Sequence, residues 1–111
     1  MKIIYSENAP DPIGPYSQAA LVNGLLYVSG QVAIDSKTQD LIIGSIEAET
    51  TQVMENLGAI LKEASTDFSN VIKCSIFIRD MDDFVKINEI YGKYFSKNAP
   101  ARETIEVSKL P

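Results

Sequence analysis

The dipeptide Asn23-Gly24 between two apolar runs is the feature that most constrains how this chain can fold. The runs cover residues 17–22 and 25–29, so only two residues separate them. Asn and Gly tolerate the positive φ angles of a two-residue type I′ turn, whose twist suits antiparallel strands. The sequence therefore predicts a β-hairpin, preceded by a strand at residues 2–5 and a proline-stiffened loop at residues 6–15.

Apolar residues at helical spacing predict two helices after the hairpin. Ser45 is the predicted N-cap of a long amphipathic helix, whose apolar positions recur through residues 46–64. Asp80 is the predicted cap of a second helix, with an apolar stripe over residues 84–95. Residues 98–100, which include Asn98 and Pro100, should end that helix.

Two further segments alternate with the period of a strand, residues 71–78 and 102–107. In the first, one face is apolar and predicted to lie in the core; its members are Ile72, Cys74, Ile76 and Ile78. The other face is half polar, as expected if it meets solvent or another subunit. The element order predicts an α+β two-layer sandwich, with a mixed β-sheet covered on one face by two helices.

Length and charge limit the classes of partner. We expect one domain over residues 1–111, and a chain this short gains burial by forming a homo-oligomer. A net charge of −5 repels phosphate backbones, which argues against nucleic acid as a partner. The sequence contains no apolar stretch long enough to span a bilayer, so we expect no membrane partner.

The chain has a single cysteine, Cys74, and no histidine. These counts predict no internal disulfide, no zinc site and a reducing compartment such as the cytoplasm. They also exclude nucleophile pairs of the Ser-His or Cys-His type. Any chemistry would use carboxylates, tyrosines, backbone groups or water, and Cys74 itself is interpreted as an inert core thiol.

Arg102 is the leading candidate for a functional side chain. It is one of two arginines in the chain, and it follows Pro100 at the start of a predicted strand. There its planar fork could grip a carboxylate with two charge-assisted hydrogen bonds. The alternative, favoured from this residue alone, is a surface ion pair with Glu103 or Glu106.

Two other places could line a pocket. Tyr16 follows the proline-rich loop, where its phenol could form a hydrogen-bonding wall, or where its ring could simply pack against a strand. Ser29 and Gly30 end a predicted strand, where a hydroxyl and backbone amides could approach a ligand. The alternative at this second place is a β-bulge or a bend, which base rates favour.

Asn88 and Thr104 are two further candidate residues. Asn88 lies on or beside the apolar stripe of the second helix, as a structural hydrogen-bond bridge or as a pocket-lining group. Thr104 and Glu106 share a strand face with Arg102 because side chains alternate. Glu106 could orient water, but neutralisation of charge along an exposed strand is favoured.

Four motifs together resemble the reactive intermediate deaminase (Rid) family. These YjgF-like proteins are also called L-PSP ribonucleases or translation inhibitors. The resemblance extends over nearly the whole chain, with all four motifs in the expected order. The motifs are Gly14-Pro15-Tyr16-Ser17-Gln18-Ala19, Tyr27-Val28-Ser29-Gly30-Gln31, the segment from Phe84 to Tyr91, and Pro100-Ala101-Arg102.

The resemblance implies a chorismate-mutase-like fold assembled as a homotrimer, with active clefts between subunits. It implies hydrolysis of reactive 2-imino acids, the enamine and imine products of pyridoxal-phosphate-dependent dehydratases, to 2-keto acids and ammonia. No cofactor and no metal are implied. Two alternatives remain: a keto-acid-binding or chaperone-like module without turnover, and the ribonuclease or translation inhibitor of the older label, against which the acidic composition argues.

Site roles follow from the same resemblance, residue by residue. Arg102 would clamp the substrate carboxylate, and Tyr16 would line the pocket. Ser29 and the Gly30 amide would bind substrate or product. Asn88 would support the pocket from its helix, and Thr104 would offer backbone groups where many relatives have cysteine.

The sequence departs from the family pattern in two ways. Glu103 follows Arg102 directly, where relatives usually have a small or apolar residue, so we expect it to compete with substrate for the guanidinium. Relatives also continue into one more strand, which carries a glutamate thought to hold the attacking water. The sequence ends at Lys109-Leu110-Pro111, and Glu106 is only a speculative substitute for that residue.

Overall fold

The computed structural model describes residues 1–111. Its five strands are β1 (Lys2–Ile4), β2 (Ala19–Val22), β3 (Leu25–Val28), β4 (Lys73–Ile78) and β5 (Ala101–Glu106). Its two α-helices are α1 (Ile46–Glu63) and α2 (Phe84–Gly92), and short 3-10 turns cover Phe68–Asn70 and Met81–Asp83. Neither helix is long and apolar enough to cross a membrane.

The predicted hairpin is confirmed at its turn. Asn23 and Gly24 have φ angles of 51° and 78°, which is the pair of positive values that a type I′ turn requires. β2 and β3 pair antiparallel on either side of this turn, and β1 pairs antiparallel with β2. The N-terminal sheet therefore has the strand order β1-β2-β3.

Helix α1 begins where its cap predicts. The Ser45 hydroxyl accepts a hydrogen bond from the Ala48 amide at 3.0 Å. One residue on its buried side is polar, and the apolar pattern did not predict it: Asn56 is fully buried and donates to the carbonyls of Val32 and Ile34 at 3.2 and 2.9 Å. Its side-chain amide thus supplies hydrogen bonds to backbone carbonyls of residues 32–34, which lie outside the five strands.

The second helix differs from its prediction at both ends. Asp80 caps the Met81–Asp83 turn by accepting from the Asp82 amide, and α2 itself has no side-chain cap. The helix ends at Gly92, before the predicted stop at residues 98–100. Tyr94 and Phe95 lie beyond the helix and pack against Phe68, with ring centroids 5.1 and 5.4 Å apart.

The two layers agree with the predicted α+β class, in which two helices pack on mixed β-structure. β4 and β5 form a parallel pair, with Cys74 opposite Arg102 and Ile76 opposite Thr104. The helices cover one face, and the core contains the buried cluster of Ile4, Ala9, Ala19 and Ile60. Of the predicted core face of β4, Ile78 is buried, whereas Ile72 precedes the strand and is 73% exposed.

The opposite strand face, which we call the open face, carries exposed apolar side chains. It includes the half-polar side of β4, where Lys73, Ser75 and Phe77 are exposed as predicted. Large apolar side chains from four strands lie there with 44 to 62% of their surface exposed: Ile3, Leu25, Tyr27, Phe77 and Ile105. An apolar surface of this kind is typical of a subunit contact.

Candidate functional site

Arg102 is half-buried on the helix-facing side of β5, beneath α2. Its Nη1 donates to the Asn88 side-chain oxygen at 2.8 Å. The guanidinium carbon lies 4.9 Å from the ring centroid of Tyr91 and 5.5 Å from that of Phe84, both within the range of a cation–π contact. Helix α2 thus supplies three contacts to one guanidinium.

The sequence of α2 explains this convergence. Phe84, Asn88 and Tyr91 are separated by four and then three residues, so they project from one face of the helix. We call these three residues, with Arg102 and Thr104, the arginine half-site. Sequence reasoning placed Phe84 and Tyr91 in the core stripe and missed their contact with Arg102, although their spacing around Asn88 was a signal for it.

Two hydroxyl groups in the arginine half-site have no hydrogen-bond partner. The Tyr91 hydroxyl and the Thr104 Oγ1 are both buried and unpaired. Burial raises the pKa of the Tyr91 phenol well above its usual value, the nearby Cys74 thiol raises it further, and the charge of Arg102 acts the other way. The phenol is therefore neutral over the physiological pH range.

Glu103 does not compete for Arg102, contrary to the expectation from its position in the sequence. Its side chain points to the open face, where it forms an ion pair with Lys73 at 2.7 Å and accepts from the Ser75 hydroxyl at 3.0 Å. The hydrogen bond from Lys73, followed by that from Ser75, lowers the pKa of Glu103. This is the only ion pair in the structure, so no acidic side chain neutralises Arg102.

Glu106 shares the helix-facing side of β5, but it serves another contact. Its carboxylate accepts a hydrogen bond from the Met81 amide at 2.9 Å. The carboxylate thereby ties the end of β5 to the turn that precedes α2. It is not paired with Arg102, so the favoured expectation of charge neutralisation along this strand is wrong.

Tyr16, Ser29 and Gly30 form a second group, the loop half-site. The ring of Tyr16 is 50% exposed, and its hydroxyl accepts from the Ile13 amide at 3.3 Å. Ser29 donates its hydroxyl to the Ser17 carbonyl at 2.6 Å and its amide to the Gln18 carbonyl at 2.9 Å. Gly30 has open space around its Cα.

The loop half-site borders an open cavity of about 400 Å³, which Tyr16 and Ser29 line. No charged side chain lines this cavity. Its other lining residues are mostly apolar: Met1, Ile3, Pro15, Ser17, Ala19, Ala20, Tyr27 and Val28. These side chains suit an apolar part of a ligand.

Gln18 anchors the loop that carries Tyr16, a role that sequence reasoning missed. Its side chain is 2% exposed and accepts from the Ser6 amide at 2.6 Å. The same side chain donates to the carbonyls of Ser6, Ala9 and Pro10. A polar residue gives no burial signal in the sequence, which is why the apolar pattern did not reveal this anchor.

Within one chain the structure gathers the predicted residues into these two groups and does not join them. Arg102, Asn88 and Thr104 belong to the arginine half-site, and no hydrogen bond links them to Tyr16, Ser29 or Gly30. A larger groove of about 580 Å³ follows α1 but contains none of the predicted residues. No three His, Cys, Asp or Glu side chains lie close enough together to hold a metal ion.

Comparison with known proteins identifies close relatives. The sequence model of the family described as Endoribonuclease L-PSP matches residues 6–111. The human 2-iminobutanoate/2-iminopropanoate deaminase is 44% identical over 110 residues, covering 99% of this chain and 80% of that protein.

Two solved structures extend the comparison. A protein of the Rid family from Yersinia pestis is 46% identical with a TM-score of 0.95, covering 99% of this chain and 88% of that one. E. coli TdcF with bound serine is 32% identical, also with a TM-score of 0.95, covering 100% of this chain and 89% of that one.

Proposed function

Because the chain belongs to the endoribonuclease L-PSP family, which includes the Rid proteins, we propose that it hydrolyses reactive 2-imino acids to 2-keto acids and ammonia. The name of the human relative, a 2-iminobutanoate/2-iminopropanoate deaminase, supports this activity at 44% identity. The serine bound to the E. coli relative supports a site for small amino-acid-like molecules.

The observation that carries the proposal is the unpaired charge of Arg102. The chain has fifteen acidic residues, yet the half-buried guanidinium pairs with none of them. Of the five N–H donors of an arginine, Asn88 takes one, and the others remain available to a ligand. A carboxylate is the group that best matches such a fork, and each charge-assisted hydrogen bond contributes about 1.5 to 3 kcal/mol.

The proposed reaction needs little beyond positioning. Arg102 binds the carboxylate of the imino acid, and water adds to the carbon of the C=N bond. Proton transfer to nitrogen then releases ammonia and leaves a C=O bond, so one water molecule is consumed for each ammonia formed. Holding the reactants in a productive orientation can supply a large part of the rate enhancement.

The loop half-site supplies the other walls in this proposal. Its cavity holds the uncharged side chain of the substrate beside Tyr16, and the Ser29 hydroxyl and Gly30 amide contact substrate or product. Thr104 contributes backbone groups next to Arg102. The mostly apolar side chains along the cavity favour substrates such as 2-iminobutanoate and 2-iminopropanoate, whose side chains are small and apolar.

We further propose that the two half-sites meet between subunits of a homotrimer. The exposed apolar side chains of the open face supply a surface for this assembly. A cleft between subunits would bring the arginine half-site of one protomer to the loop half-site of its neighbour. The cleft would then contain both a charged and an apolar wall.

The test is to generate 2-iminobutanoate with a pyridoxal-phosphate-dependent threonine dehydratase and to follow 2-ketobutyrate and ammonia release. Added protein should accelerate release, and Arg102→Ala should abolish the effect. Arg79→Ala is the matched control, because Arg79 is the chain's other arginine and is exposed. An equal rate with and without the wild-type protein would contradict the proposal.

Two results would favour the alternative functions instead. Binding of 2-ketobutyrate without faster loss of the imine would indicate a binding module, the function that the serine-bound relative also suggests. Cleavage of RNA by pure protein, lost in Arg102→Ala and retained in Arg79→Ala, would indicate the ribonuclease of the family description.

A further inference from the structure

We propose that Phe84 and Tyr91 are positioning residues, which set the orientation in which Arg102 presents its free N–H donors to an anionic ligand. This inference rests on the proposed function of Arg102 as a carboxylate clamp. It concerns two aromatic side chains that would not themselves contact the substrate. We call Phe84, Asn88 and Tyr91 together the cradle.

The geometry of the cradle leaves the guanidinium little freedom. Asn88 fixes one edge through a hydrogen bond of 2.8 Å to Nη1. The two rings contact the same group at 4.9 and 5.5 Å from their centroids. A hydrogen bond at one edge with two ring contacts favours one orientation of the guanidinium plane, and no other protein group accepts from the remaining donors.

The ring of Tyr91 is buried at one end of a row of aromatic rings. Its side chain is 8% exposed, and it packs on Phe95 with ring centroids 4.7 Å apart. Phe95 in turn packs on Phe68 at 5.4 Å. Of this row of aromatic rings, only Tyr91 contacts the guanidinium of Arg102.

The ring of Tyr91, and not its hydroxyl, should carry the effect. The hydroxyl is buried beside the Cys74 thiol, a weak hydrogen-bonding group, so removing it leaves the contact between the ring and Arg102 in place. The aromatic face provides the negative charge density that attracts a cation. Tyr91→Phe keeps that face, whereas Tyr91→Leu removes it and leaves an apolar side chain of similar burial.

Phe95 offers a matched control for general packing. It belongs to the same aromatic row, but its ring makes no cation–π contact with Arg102. Phe95→Leu therefore removes a ring of the same row and leaves both rings beside the guanidinium. A purely structural role for Tyr91 would give the two leucine variants the same phenotype.

The experiment measures the dissociation constant of 2-ketobutyrate and the NMR signal of the Arg102 Nε–Hε group in four proteins: wild type, Tyr91→Leu, Tyr91→Phe and Phe95→Leu. Tyr91→Leu should weaken binding by about 3- to 20-fold, the range of one cation–π contact, and should shift the Hε signal as its ring current is lost. Tyr91→Phe should restore wild-type affinity. Phe95→Leu should leave the affinity unchanged.

Equal affinities in wild type and Tyr91→Leu, or equal weakening in Tyr91→Leu and Phe95→Leu, would overturn the inference. Failure of the proposed function is distinguishable from this result. If wild type accelerates imine hydrolysis but Tyr91→Leu matches it in affinity and rate, the function stands and the inference fails. If wild type does not accelerate imine hydrolysis, the proposed function fails, and an unshifted Hε signal in Tyr91→Leu would separately show that the ring does not hold Arg102.

Discussion

The two half-sites are built in different ways. The arginine half-site lies on one helix and one strand, its ring contacts and hydrogen bond converge on a single charge, and its residues are half-buried or buried. The loop half-site lies on turns, its tyrosine is 50% exposed, and its cavity is mostly apolar. The first is therefore suited to bind a fixed charged group, and the second to accommodate the variable part of a ligand.

Because the arginine half-site binds the charged group, we expect the largest loss of activity from a change in the shape of the Arg102 side chain. Arg102→Lys keeps a positive charge but loses the planar fork and the two-donor grip on a carboxylate. Losing one or two charge-assisted hydrogen bonds should lower kcat/KM for 2-iminobutanoate by about 100-fold or more. Arg79→Lys is the control, and a similar loss in both variants would contradict a special role for Arg102.

The loop half-site should affect activity without affecting stability. Tyr16→Ala removes an exposed ring that lines the cavity, so we expect a fall in kcat/KM of about 10-fold, typical of one lost wall contact. The free energy of unfolding should change by less than about 0.5 kcal/mol, because the side chain is half exposed. Urea unfolding measures the free energy of unfolding, and steady-state kinetics measure kcat/KM. A large loss of stability in Tyr16→Ala would show that Tyr16 stabilises the fold rather than lining a binding site.

The proposed meeting of the half-sites between subunits can be tested by mixing. Arg102→Ala and Tyr16→Ala should be unfolded together and refolded at equal concentration. Each cleft then receives an intact arginine half-site with probability one half and an intact loop half-site with the same probability, so about a quarter of the wild-type activity should return.

Separate refolding of the two variants is the control for this mixture. With the losses expected above, their combined activity should stay near about 5% of wild type, which is the mean of about 10% for Tyr16→Ala and almost none for Arg102→Ala. A mixture no more active than this mean would place both half-sites of each cleft within one subunit.

The smallest expected effect concerns Glu103, on the other side of β5 from Arg102. Lys73 and Ser75 lower its pKa, so its contribution to stability is present above the unfolded-state pKa and is lost as pH falls through the lower folded-state value. The urea midpoints of wild type and Glu103→Gln should differ slightly near pH 6 and converge below about pH 4. A large loss of imine hydrolysis in Glu103→Gln would contradict its placement away from the site.

The same strand shows what sequence can and cannot predict here. Strand alternation already implies that Glu103 points away from Arg102, yet adjacency in the sequence led to the expectation of competition. The hairpin and α1 were predicted well, because Asn23-Gly24 and the Ser45 cap act through local geometry. The end of α2 at Gly92 was not, because Tyr94 and Phe95 continue its apolar pattern while packing outside the helix.

Buried polar residues were missed both in the site and elsewhere in the fold. Gln18 and Asn56 are fully buried amides that hold irregular backbone, and nothing in their type signals burial. The cradle of Phe84, Asn88 and Tyr91 was visible as a helical stripe, but its target became clear only with the register of β5 beneath it. Which side chain a helix face contacts is a property of tertiary structure.

A crystal structure of the assembled protein with bound 2-ketobutyrate tests the central claim most directly. We expect the carboxylate within about 2.7 to 2.9 Å of two Arg102 nitrogens, with the remaining carbons beside Tyr16 of a neighbouring subunit. A keto acid bound in the groove along α1, or an Arg102 that holds an acidic side chain of the protein instead, would contradict it.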